Sequence, residues 1–278
     1  MTAHDKLLGD QLKNWRKRRR MSQLDLALEA EISSRHLSFI ETGRSMPSRN
    51  MVLRIAETLE LPLRERNSLL LAAGFAPDYP QRAFDDPVLS AARAAVERII
   101  DCHMPFPALA VDRYWNLLHA NAAVQHLMVG AADYLLSPNA NVLRLSLHPD
   151  GLAGRILNLS EWKAHVLHRL GQQVRASADS RLEELLEELR SYPAPASDNP
   201  HTLSDFVSPL IFSSPLGKLS FLSTTTIFGT ANDVTLSEIT IESFFPADAP
   251  TAERLTKYNG AAADKGREGA YRLQTDGG

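Results

Sequence analysis

Apolar residues in the first eighty positions recur at helical spacing in short, separately punctuated runs. Leu8, Leu12 and Trp15 fall at i, i+4 and i+7, which predicts a first helix with one buried stripe. In SQLDLALEA, Ser22 is placed to cap a second helix and Asp25, three residues on, to return the bond as a capping-box partner. Its inward side is Leu26, Ala27 and Ala30, and the small Ala27 allows a close crossing by the next helix. A tight turn at Glu31 and Ile32 leads to Ser33, a further N-cap. The third helix then carries Leu37 and Ile40 inward and ends at Thr42-Gly43. Ser48 caps a fourth helix with Val52, Ile55, Ala56 and Leu59 on one face, and a fifth runs from Arg64 to Ala73 and closes at Gly74. Two short capped helices joined by so tight a turn make a helix-turn-helix, whose second helix is presented outward by the first.

Beyond Arg82 the pattern changes. Asp86-Pro87 starts a helix with Leu89, Ala92, Val96 and Ile99 on its stripe. Two short apolar runs, Ala108 to Val111 and Trp115 to His119, flank Asp112-Arg113-Tyr114 and read as a hairpin, after which Asn121 caps a helix through Met128. Helices are predicted at Glu161 to Val174 and Ser180 to Arg190, the latter with Leu182, Leu185, Leu186 and Leu189 in register. After the Pro-rich connector SYPAPASDNP come three strands, Ser204 to Phe212, Lys218 to Phe228 and Leu236 to Ser243. One sheet of about five strands with helices against it is the economical architecture. The expected class is α+β, an all-α helix-turn-helix domain over residues 1–82 followed by an antiparallel sheet domain over 83–255 and a disordered tail over 256–278.

Length and composition agree with two globular domains: the chain has 278 residues, 44% hydrophobic and 23% charged. No apolar run approaches the roughly 18 residues needed to span a bilayer, so no membrane association and a cytoplasmic location are expected. The single cysteine, Cys102, excludes an internal disulfide and a Cys-pair zinc site. Charge separates the two parts. Residues 1–82 carry 14 Lys+Arg against 10 Asp+Glu and the remainder 16 against 23, so a head of +4 stands beside a larger acidic part of −7. A polyanionic partner would therefore meet the first part.

SQLDLALEAEISSRHLSFIETGR followed by PSRNMVLRIAETLEL resembles the phage-repressor-like helix-turn-helix family over roughly Leu7 to Gly74. It departs at Glu31, where that family places a left-handed glycine; a side chain there costs roughly 1 kcal/mol. The resemblance implies that the partner is double-stranded DNA, with Ser33, Ser34, Arg35, Ser38 and Phe39 facing the groove and Gln23, Arg44 and Arg49 near the phosphates. Arg35 is the sharpest candidate for base reading, since a guanidinium can bond guanine O6 and N7 together, and Phe39 suits a thymine methyl. The run Arg18, Arg19, Arg20 is a further candidate for phosphate contact or a solvated helix end.

The strand, hairpin, strand, Asn-capped helix and final meander resemble a PAS-like domain. Together with the head, NVLRLSLHPDGLAGRILNLSEW, PLGKLSFLSTTTIFGTANDVTL and IESFFPADAPTAERL resemble the MmyB-like family of bacterial regulators over Asp86 to Leu255. That resemblance implies a pocket for an apolar small molecule, with a fatty-acid-like ligand the leading suggestion. Candidate lining residues are Trp115, Trp162, Phe212, Phe221, Phe228 and Ile241, with Arg144 or Arg155 for an acidic head group. His148, Asp150 and Gly151 read first as a turn.

An enzyme would need a constellation the chain lacks. There is no GxSxG elbow, Walker A loop, GxGxxG fingerprint or HExxH helix. Glu161, His165 and His168 share a helical face, but no distal ligand motif accompanies them, so neither a metal site nor a cofactor is expected. The reading is a ligand-controlled DNA-binding regulator acting as a homodimer. Its rivals are a regulator whose second domain only assembles with protein partners, and an enzyme carrying a DNA-binding head.

Overall fold

The apolar stripes of the head fold as five short helices in the computed structural model, which describes residues 3–195, 208–229 and 231–258. These are α1 (Ala3–Arg18), α2 (Gln23–Glu29), α3 (Ser34–Glu41), α4 (Arg49–Thr58) and α5 (Leu63–Ala72). Each of the three serine caps is made. Ser22 Oγ accepts from Asp25 N at 3.1 Å while Asp25 accepts from Ser22 N at 2.8 Å, a complete capping box. Ser33 Oγ accepts from His36 N at 3.1 Å, and Ser48 Oγ from Met51 N at 3.4 Å. Glu31 takes the left-handed turn conformation, φ 53°, that its place between α2 and α3 demands.

The predicted stripes form one core: Leu8, Leu12, Leu26, Ala27, Ala30, Leu37, Ile40, Val52, Ile55 and Leu59 are all buried. Gly9 lets α1 lie against the end of α3. A Cβ there would stand 2.5 Å from the Glu41 carbonyl oxygen, so α1 could not approach as closely with any other residue. Arg19 is less free than a solvated basic run suggests. Its guanidinium donates to the carbonyls of Leu59 at 2.8 Å and Glu60 at 3.1 Å, closing the C-terminus of α4.

The chain forms two compact units, Met1–Phe84 with Gly229–Ser237, and Asp85–Phe228 with Glu238–Gly278. The return of Gly229–Ser237 to the first unit was not visible in the residue pattern. It is held there by polar contacts: Val234 N donates to Pro80 O at 2.8 Å, and Arg82 bonds Asp233 at 2.8 Å.

In the second unit a short turn of helix, Pro87–Leu89, capped by Asp86, leads into α6 (Ser90–Asp101). Then follow β1 (Ala108–Val111), β2 (Leu117–Ala120), α7 (Ala122–Met128), α8 (Asp133–Leu136) and α9 (Val142–Leu147). Helices α10 (Leu159–Ser177) and α11 (Ser180–Ser191) precede β3 (Leu210–Ser214) and β4 (Gly217–Ile227). The single turn α12 (Val234–Ser237) and β5 (Thr240–Pro246) come next, and residues 249–258 close the described chain as a helix. The sheet is five-stranded in the order β2-β1-β5-β4-β3, every neighbouring pair antiparallel. The α+β architecture is as expected.

Several expectations need correction. Ile99 is exposed and Ile100 is buried instead, so the inner face of α6 is Val96 and Ile100, with Leu89 buried in the turn before it. Leu236 lies in the α12 turn, and the last strand starts at Thr240. The first strand of the meander starts at Leu210; its expected beginning at Ser204 lies outside the described residues, as does most of the connector. The tail expected to be disordered from Thr256 is helical through residue 258, and residues 259–278 lie outside the described residues. Helices α8 and α9 were not predicted, because four and six residues are too short to show a period.

Candidate functional site

Burying Leu37 and Ile40 turns the other side of α3 outward. Arg35 is exposed, Ser34, Ser38 and Phe39 are half-buried, and Ser33 at the N-cap is exposed. The Arg35 guanidinium lies 5.4 Å from the centre of the Phe39 ring, one turn along, so the aromatic face supports the cation. Arg44 is exposed just past the end of α3. Arg49 is half-exposed and ion-paired with Asp78.

Gln23, at the start of α2, is held from below. Its Nε2 donates to Glu41 at 2.7 Å, and the same carboxylate accepts from Arg16 Nε at 2.6 Å and Nη2 at 2.9 Å. Glu41 and Arg16 are both buried. An amide nitrogen carries two hydrogens, so Gln23 is anchored by one and keeps the other to donate outward. Sequence reasoning missed this lock, because Arg16 and Glu41, 25 residues apart, are brought together only by the fold.

The second unit holds a partly open cavity of about 100 Å³ between the sheet and helices α7, α9 and α10. Its wall is apolar, with Leu109, Val124, Leu127, Leu143, Val166 and Phe244 among the lining residues. Both expected tryptophans reach it. Their indole N–H groups are already satisfied, Trp115 Nε1 donating to Gln173 at 2.8 Å and Trp162 Nε1 to Ser146 Oγ at 2.8 Å, which leaves ring surface for the cavity.

The other expected lining residues sit elsewhere. Phe212 and Phe221 are fully buried in the core packing and Phe228 is half-buried; none of the three lines this cavity. Ile241 is buried, but alternation along β5 points Glu242 and Phe244 to the cavity face and Ile241 to the other. Arg144 does not line the cavity either. It is engaged by Glu188, at 2.7 and 2.8 Å, on α11. Arg155 donates to the carbonyls of Leu127 and Val129 at 3.1 and 2.7 Å, tying down the end of α7, and lies 4.4 Å over the Phe212 ring.

The polar end of the cavity is made by two residues no pattern singled out, Arg169 and Glu242. Arg169 Nη2 stands 2.6 Å from Glu242 Oε1 and donates to Thr225 Oγ1 at 3.0 Å, while the guanidinium covers the Trp115 ring at 5.2 Å. Next to them His165 stacks on Trp162, ring centres 5.4 Å apart, and burial with help from Arg169 pushes its imidazole below its ordinary range, toward the neutral form.

LHPDGL is a turn held by its own side chains. Asp150 N donates to His148 Nδ1 at 3.0 Å, and Tyr134 donates to Asp150 at 2.6 Å. Gly151 is needed for space, because a Cβ would stand 2.3 Å from the Leu145 carbonyl oxygen. Among the described residues no group of three His, Cys, Asp or Glu side chains is arranged to hold a metal ion, and no helix is long and apolar enough to cross a membrane.

Comparison with known families places both parts. Residues 7–69 match a helix-turn-helix domain, and residues 92–257, more than half of the chain, match the MmyB-like transcription regulator ligand binding domain. A search of curated proteins returned no match. With a helix-turn-helix head whose α3 turns polar and basic groups outward, and a matched ligand-binding domain that holds an apolar cavity, the chain belongs to the MmyB-like transcription regulators.

Proposed function

We propose that this regulator reads operator DNA with α3 and is controlled by an apolar, fatty-acid-like small molecule held between α10 and the sheet, without catalytic activity. The observation that carries the reading is the pairing of an outward Arg35, supported by Phe39, with a largely apolar cavity in the matched ligand-binding domain. Arg35 takes the base-reading role, with Ser33, Ser34, Ser38 and Phe39 beside it in the major groove. Gln23, held by Glu41, and Arg44 and Arg49 contact phosphates; Arg49 would exchange Asp78 for a phosphate oxygen. Lining by Trp115, Trp162 and aliphatic side chains suits the apolar part of a ligand.

Dimerisation follows from the size of the head. A single small DNA-reading module buries on the order of 600 to 1,000 Å², and two heads on half-sites one helical turn apart combine their affinities. Ligand control needs a difference in ligand affinity between two arrangements of the protein. The test is DNA binding by the purified full chain before and after lipid extraction, with the extract analysed by mass spectrometry. Co-purified lipid and a changed DNA affinity are expected; repeated extraction yielding no lipid, with unchanged affinity, would leave the second domain as an assembly module.

A further inference from the structure

The charge at the cavity's polar end restricts what the ligand's head group can be. Among the described residues Arg169 is the only cation lining the cavity, and its charge is already matched by Glu242, whose side chain is 5% exposed. The pairing is built in by the fold. Glu242 sits on β5 directly opposite Leu109 of β1 and Thr225 of β4, and Thr225 Oγ1 adds a bond to the same carboxylate oxygen at 3.0 Å. Arg169 is fixed from three sides, by Glu242, by Thr225 and by the Trp115 ring. The neighbouring His165, half-buried and stacked on Trp162, is pushed toward its neutral form by burial.

We infer that Glu242 makes the cavity selective for an uncharged ligand, an apolar chain ending in a neutral hydrogen-bonding group such as an alcohol or a primary amide, and against the matching carboxylate. This inference rests on the reading of the cavity as the ligand site; it keeps the fatty-acid-like chain of that reading and replaces the acid head group with a neutral one. A carboxylate entering here would place a second negative charge beside the buried Glu242, against one guanidinium whose charge that residue already matches, and like charges so close repel. A neutral oxygen meets no such penalty. It can accept from guanidinium N–H groups that Glu242 and Thr225 do not use, and an O–H or N–H can donate back to the carboxylate. The cavity's other polar lining group, Ser146, accepts from Trp162 and retains its own O–H to donate.

The test compares lauryl alcohol, lauramide and laurate, below their micellar concentrations and at neutral pH, on the delipidated full-length protein. Quenching of tryptophan fluorescence reports occupancy, because Trp115 and Trp162 line the cavity. The wild type is expected to bind the alcohol and the amide at least about ten-fold more tightly than laurate. Glu242→Gln, which keeps shape but frees the Arg169 charge, is expected to bind laurate more tightly than the wild type does and to close or invert the gap. Circular dichroism establishes that the variant is folded; should it unfold, the wild-type ranking alone decides. Laurate binding the wild type as tightly as the neutral ligands, or a folded Glu242→Gln protein with an unchanged ranking, would overturn the inference while leaving the cavity a ligand site. Failure of all three to bind the wild type would overturn both.

Discussion

Glu41 accepts hydrogen bonds from Arg16 at 2.6 and 2.9 Å and from Gln23 at 2.7 Å, so one buried carboxylate joins the end of α1 to the end of α3 and the start of α2. Helix α3 is thereby locked to the rest of the head by an ion pair inside the protein. Removing one partner of such a pair strands the other charge. Glu41→Ala is expected to destabilise the head by about 3 to 5 kcal/mol, read as the urea midpoint of the head's unfolding.

The same carboxylate sets a pH dependence. Burial alone would raise the Glu41 pKa, but the hydrogen bonds from Arg16 and Gln23 outweigh it and leave the group below its usual range. A carboxyl depressed in the folded state contributes its stability in full above the unfolded glutamate pKa, near 4.3, and that contribution is lost as pH falls through the lower folded value. Thermal melts from pH 6 down to about pH 3 should show the wild-type midpoint falling more steeply than that of Glu41→Gln. Parallel curves would remove Glu41 from this role.

Gln23 separates affinity from specificity. With its amide anchored by Glu41 and phosphate contact its proposed role, Gln23→Ala is expected to weaken binding to matched and unmatched DNA alike, by about 1 kcal/mol. Titrations on several sequences check this: a loss confined to one sequence would place Gln23 on a base.

Val166 offers a way to fill the cavity without touching its polar end. It lines the cavity from α10, and Val166→Phe would occupy space otherwise available to a ligand. Native mass spectrometry should show less co-purified lipid on this variant than on the wild type, at an overpacking cost of about 1 to 3 kcal/mol.

The head was legible because its signals are local. Ser22, Ser33 and Ser48 cap the helices they precede, and the Leu37 and Ile40 stripe fixes which side of α3 faces out. The sheet domain was legible in its strands and long helices but not in its site. Arg169 and Glu242 are 73 residues apart and meet only because β5 lies beside β1 and β4 under α10. Nothing in TIESFFP marks Glu242 as buried, and a shift of one position along that strand separates it from Ile241, which faces the other way. Arg144 looked equally suited to a head group, but Glu188, on a helix distant in sequence, engages it. Likewise the Gly229–Ser237 segment belongs with the head through Arg82 and Asp233, a pairing 151 residues apart in the chain.

The central claim, that the outward face of α3 reads base sequence, is tested most directly by selecting DNA from random pools with the wild type and with Arg35→Ala. The wild type should enrich one motif, and the variant should lose preference at a single base position, a change of about 1 to 3 kcal/mol, while keeping the rest. Recovery of an identical motif by both proteins, or of no motif by the wild type, would contradict it.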